Sequence, residues 1–209
     1  MRILIREIKF IKIYDLAMDS DHHSEIRNVP ARVQVGHSGL LADGDRSFST
    51  LIIGCGNRLC GDDAVGPGLI RRLLQRGLPA EVRCVDGGTE GINVAFQMKG
   101  VTHLILVDAC QSGGRAGEIF QLKGEEVEPE LPPVGLNLHN FRWDHALALG
   151  RRLLQQDYPR KVTVFLIEGA RFGVGEDLSP EVDRAIDRLI DRMLEWLDDQ
   201  AAGHPPGVA

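Results

Sequence analysis

The sequence predicts an α/β fold, a three-layer α/β/α sandwich built on a mainly parallel sheet. Short apolar runs alternate with longer segments of helical periodicity from about residue 50 to about residue 199. Leu51-Ile52-Ile53 and His103-Leu104-Ile105-Leu106-Val107 read as buried strands, and each runs into glycine or acid. A length of 209 residues suits one domain with a single substantial core and a tail or two.

Bulk properties narrow the function. The chain is 43% hydrophobic and 26% charged, as an ordinary soluble protein is. A net charge of -6 with no offsetting basic cluster argues against a nucleic-acid partner. Arg71-Arg72 and Arg151-Arg152 read as solvated helix faces. No apolar run is long enough to cross a bilayer, so no membrane role is expected. Cys55, Cys60, Cys84 and Cys110 have no C-x-x-C spacing, and no secretory signal precedes them. Reduced thiols and a cytoplasmic location are expected.

Residues 1–49 read as an N-terminal extension, largely disordered. Charged residues from Arg2 to Lys12 interrupt its isoleucines, which is unlike a secretory h-region. An added strand, an amphipathic helix and an upstream extension ahead of Met18 all fit it. His22-His23, in a polar flexible segment, is more often incidental than a metal site. Residues 50–199 form the predicted domain, and 200–209 a disordered tail.

Thr50 to Gly54 is the first predicted strand. Gly54 and Gly56 then allow a tight turn, and a helix is expected over about Asp63 to Gln75, closed by Gly77 and Pro79. Asp62 or Asp63 is an N-cap candidate, but capping needs only one of them. Gly54-Cys55-Gly56 begins a dinucleotide fingerprint, yet Leu59 stands at the third glycine position. Two carboxylates at a helix mouth repel phosphate and attract a cation, so the turn reads as a cation-proximal site.

Glu81 to Val85 is the second predicted strand, followed by the glycine-rich run Asp86 to Gly91 and a short helix over about Ile92 to Met98. Asp86 suits a turn-forming Asx side chain. His103 to Val107 ends on Asp108. Ligands of open α/β sheets gather outside the carboxyl ends of strands, so Asp108 is favoured as a functional acid over a turn cap. Gly117 to Leu122 reads as an edge strand, and Glu125 to Pro133 as an exposed loop. His139 precedes an amphipathic helix over about Phe141 to Leu154, which places it at a helix mouth, whereas His145 lies inside that helix. Phe141, Trp143 and Leu147 read as core. Val162 to Ile167 is the last strand. Ser179-Pro180-Glu181 then opens a helix with Val182, Ile186, Leu189, Ile190, Met193 and Leu197 on one face. On this topology Asp63, Asp108 and His139 converge as an O/O/N set suited to nickel or zinc.

The stretch Gly56-Asn57-Arg58-Leu59-Cys60-Gly61-Asp62-Asp63-Ala64-Val65-Gly66 resembles the G-N-x-L-x-x-D-D/E-x-x-G signature of the hydrogenase maturation proteases. Asp86 to Gly91 resembles their D-G-G-T-x-G run, which implies a place beside the site for Asp86 as the alternative to an Asx turn, and His139 matches their histidine. The resemblance runs from about Leu51 to about Leu197. It implies a phosphorylase/hydrolase-like sheet of about five strands. It also implies an endopeptidase that trims the C-terminal extension from the large-subunit precursor of a NiFe hydrogenase. Asp63, Asp108 and His139 would contact nickel that arrives in the precursor and is not stably bound by the protease.

Two hydrolytic routes stay open: activation by the nickel, or water attack assisted by Asp63 or Asp108 as base. The sequence has no G-x-S-x-G elbow and no H-E-x-x-H helix, which discounts serine and zincin chemistry. Cys55, Cys60 and Cys110 lie near the expected edge, but no motif pairs one with His139. Alternatives are a metal-dependent hydrolase or peptidase of the same fold on another substrate, and a non-cleaving nickel-binding maturation chaperone. Dinucleotide binding ranks last.

Overall fold

The structure, a computed structural model, describes residues 49–127, 129 and 141–201. Nearly all of the expected extension, the end of the loop expected over 125–133, His139 and the tail from residue 202 lie outside the described residues.

The chain runs through β1 (Thr50–Cys55), a 3-10 turn (Gly61–Ala64), α1 (Val65–Arg76), β2 (Val82–Gly88), α2 (Gly91–Gln97) and β3 (His103–Cys110). It continues through β4 (Ile119–Lys123), the one-turn α3 (Gly124–Val127), α4 (Trp143–Leu154), β5 (Lys161–Glu168) and α5 (Pro180–Ala201). The sheet order is β2-β1-β3-β5-β4. Pairings β1–β2, β1–β3 and β3–β5 are parallel, and β4 joins β5 antiparallel at the edge.

Successive strand residues point to opposite faces, and both faces are apolar. Ile52, Ile105, Val107 and Ile167 pack under α1 and α5 against Leu69, Leu73, Ile186 and Leu189. Leu51, Ile53, Leu106 and Leu166 face the other way, against Val94 of α2, Met98 just after it, and Ala146 and Leu147 of α4. This is the expected three-layer sandwich. From β1 the chain goes outward to β2, then back across to β3, so the strand order reverses between β1 and β3. A crevice opens at the carboxyl ends of the strands at such a reversal.

Several boundaries differ from expectation. β3 runs on to Cys110, so Asp108 lies inside the strand, in register with Leu166 of β5. β2 extends through Gly88. Gly124–Val127 is helical where an exposed loop was expected to begin at Glu125. α1 starts at Val65, because a 3-10 turn carries both Asp62 and Asp63. Neither aspartate caps α1, whose N-cap is Ala64 without a side-chain bond.

Candidate active-site rim

The reversal point brings Asp63 and Asp108 to one rim. Asp63 sits on the 3-10 turn after β1, only 6% exposed, and its Oδ2 accepts the Asn57 N–H at 2.8 Å. Asp108 is partly buried on β3. Its Oδ1 accepts the Ala109 N–H at 2.8 Å and its Oδ2 accepts the Trp143 indole N–H at 2.7 Å. Gly56, with φ of 125°, lies between the two acids. A Cβ there would fall 1.9 Å from the Asp63 carbonyl oxygen and 3.6 Å from Asp108 Oδ1. The glycine is what lets the turn close onto β3.

Burial raises the pKa of both acids. Asp108 is pushed up to about 7, first by burial and then by the Asp63 charge, against the hydrogen bonds from Trp143 and Ala109 and the positive charge of Arg142. Burial also raises Asp63, with the Asn57 N–H acting against it. Burial and the nearby Asp108, Asp86 and Asp63 raise the Cys55 thiol well above its ordinary value. Burial and Asp63 raise Cys60, and burial and Glu168 raise Cys110. A raised pKa leaves less thiolate, which argues against the cysteine route.

Asp62 has a different role from its neighbour. It is fully buried and accepts from Ala170 N–H (2.8 Å), Arg171 N–H (3.1 Å), Ser179 N–H (2.6 Å) and Ser179 Oγ–H (3.0 Å). It therefore fastens the segment after β5, and the start of α5, to the turn that carries Asp63. The expected N-cap carboxylate serves the N-terminus of α5, far along the chain, rather than that of α1.

Asp86, at the end of β2, accepts from Gly88 N–H at 2.9 Å and from Arg58 Nε at 2.8 Å, and its ion pair with Arg58 closes the other side of the β1 loop. Gly91, the last residue of the glycine-rich run, donates its N–H to Phe141 O at 3.0 Å. A Cβ on Gly91 would stand 2.1 Å from the carbonyl carbon of Arg142. That close approach seats the start of α4 and delivers the Trp143 indole to Asp108. Trp143 is thus both core, 4% exposed, and hydrogen-bonded to the acid. His145 stays within α4, near the Phe141 ring at 5.9 Å between centroids. Among the described residues no three His, Cys, Asp or Glu side chains gather as a metal-ligand set, and His139, the expected third member, lies outside them.

Glu168 went unnoticed in the sequence. At the end of β5 and 1% exposed, it accepts from the backbone N–H groups of Ser112, Gly113 and Gly114, from Ser112 Oγ and from Cys110 Sγ. It holds the segment that leaves β3 just after Asp108. The signal was the same as for Asp108, an acid closing an apolar strand.

Comparison with known proteins gives the family. Residues 67–196 match the family model described as hydrogenase maturation protease, well over half of the chain. The matched span contains Asp108 and Trp143 and begins just after Asp63. The chain is 32% identical to a hydrogenase 2 maturation protease of Escherichia coli over 134 residues, 63% of this chain and 76% of that protein. It is 27% identical to hydrogenase expression/formation protein HupD of Thiocapsa roseopersicina over 149 residues, 70% of this chain and 66% of that protein. A further relative, HupD of Rhodobacter capsulatus, is covered over 47% of its length. Among solved structures, the hydrogenase maturating endopeptidase HybD from E. coli superposes with a TM-score of 0.59 at 26% identity, over 72% of this chain and 93% of that one. The chain belongs to the hydrogenase maturation protease family.

Proposed function

We propose that this chain is a cytoplasmic endopeptidase that removes the C-terminal extension from the nickel-loaded large-subunit precursor of a NiFe hydrogenase. The observation that carries the reading is the pairing of Asp63 and Asp108 at the reversal point of the sheet, with the proton affinity of both raised. A carboxylate poised near neutral pH is an effective base, so Asp108 takes the proton of the attacking water in an aspartic-type hydrolysis. The same crowding of negative charge attracts a divalent cation. In this reading Asp63, Asp108 and His139 face the nickel that the precursor brings, a borderline ion suited to mixed oxygen and nitrogen donors. That nickel supplies recognition of a loaded precursor and polarisation of the scissile carbonyl. Nothing in the proposal needs a nucleic acid or a membrane, and no helix among the described residues is long and apolar enough to cross a bilayer.

The test is incubation of the purified protein with precursor, loaded or unloaded with nickel, followed by intact mass of the precursor. The reading predicts shortening of the loaded precursor alone. Unchanged mass in both samples would replace it with the non-cleaving chaperone. Cleavage of unrelated peptides would point to a hydrolase of broader substrate range.

A further inference from the structure

Within Gly56–Gly66, five residues of the G-N-x-L-x-x-D-D-x-x-G pattern have roles inside the molecule. Gly56 admits the approach of Asp63, and Asn57 binds Asp63 through its N–H. Asp62 fastens α5, and Asp63 is the rim acid itself. A Cβ on Gly66 would lie 2.2 Å from Cys55 O, so that glycine lets α1 press against β1. Leu59 has no such role: its side chain is 68% exposed and belongs to neither core cluster.

The loop that presents Leu59 is nevertheless firmly held. Its N–H donates to Asn57 Oδ1 at 3.0 Å, and its carbonyl accepts the Gly175 N–H at 2.8 Å. The Cys60 N–H donates to Asn57 O, the Gly61 N–H to Glu176 O and the Asp62 N–H to Arg171 O. Val174, next to Gly175 on the facing loop, is 77% exposed. Two large apolar side chains thus stand in water on a platform cross-linked by backbone hydrogen bonds. Asn57 belongs to both places, since its N–H holds Asp63 while its side chain holds Leu59. Leu59 is four residues from Asp63 in the chain, so their Cα atoms are within about 14 Å. That is about four residues of an extended peptide.

We infer that Leu59 and Val174 form an apolar docking step for the precursor, receiving an apolar side chain of its extended segment within about four residues of the scissile bond. The inference rests on the protease reading and deepens it, because it assigns specificity-determining residues outside the acids that act on the peptide. Rigid presentation lowers the ordering cost of binding, and covering the two side chains recovers apolar area that the free protein leaves wet.

The experiment measures the affinity of Leu59→Ser, Val174→Ser and Leu59→Met for nickel-loaded precursor, together with kcat and KM of processing. Thermal unfolding verifies that each variant folds. The two serine variants are expected to bind about tenfold more weakly, with KM raised to match and kcat within about twofold. Leu59→Met, which keeps the apolar surface, should match the wild type. Wild-type affinity in folded Leu59→Ser and Val174→Ser overturns the inference whatever happens to cleavage. A wild-type protein that binds precursor without cutting it, while the serine variants bind weakly, upholds the docking step and refutes the protease reading. A wild-type protein that does not bind precursor overturns both.

Discussion

The Trp143 indole donates to Asp108 Oδ2 at 2.7 Å and ties the first turn of α4 to the end of β3. This bond acts to keep Asp108 ionised, against burial and the charge of Asp63. Replacing Trp143 with Phe removes the donor and leaves most of the ring packing. Asp108 then titrates at higher pH than in the wild type. If Asp108 is the base, the rising limb of kcat/KM against pH moves to higher pH and the rate at pH 7 falls severalfold. The lost hydrogen bond to a charged group costs about 1–3 kcal/mol of stability. A pH–rate profile beside a urea titration measures both effects. An unmoved limb would mean that Asp108 is not the group titrating in catalysis.

Asp62 and Asp63 are neighbours in sequence, and their variants should behave oppositely. Asp62→Ala removes the acceptor shared by the Ala170, Arg171 and buried Ser179 N–H groups, and should cost about 1–3 kcal/mol. Asp63→Asn relieves a buried charge and keeps an oxygen for Asn57, so stability should stay within about 1 kcal/mol of wild type while processing is lost. Chemical denaturation and a processing assay on both variants separate the structural acid from the functional one.

These two acids also mark how far the sequence could be read. The layers, the alternation and the edge strand were legible because each depends on local apolar patterning. Asp108 stood out because it follows a continuous apolar run in the sequence. The division of labour between Asp62 and Asp63 was not legible, since the donors that claim Asp62 come from Ala170, Arg171 and Ser179, more than a hundred residues away. Trp143 looked like core and is core, but its indole N–H reaches an acid set only by tertiary packing. Glu168 carried the same local pattern as Asp108. Only the structure distinguishes Glu168, which gathers the amides of the segment after β3, from Asp108, which takes the Trp143 indole N–H.

Asp108 also gives stability a pH dependence. Its pKa is about 7 in the folded chain against an ordinary 3.8. Between those values the native state holds a proton that the unfolded chain has released, so stability falls as pH rises through this window. Asp108→Asn removes this dependence. The wild type should therefore gain on Asp108→Asn as pH falls from 8 to 5, whatever constant difference the amide introduces. Melting temperatures of both proteins across that range test the sign. A constant gap would mean that Asp108 is ionised throughout.

Gly91→Ala tests how α4 is seated. The added Cβ meets the Arg142 backbone at 2.1 Å, which is not the flexible end of a side chain. The substitution should cost about 1–3 kcal/mol and loosen the Trp143 bond to Asp108. Lower denaturation midpoints with altered tryptophan fluorescence are expected. Wild-type values in both would show that α4 shifts freely.

Intact-mass time courses of nickel-loaded precursor with wild type, Asp63→Asn, Asp108→Asn and His139→Ala test the central claim most directly. The account predicts a shortened precursor with wild type and a full-length one with each folded variant. Processing at the wild-type rate by all three variants would contradict it.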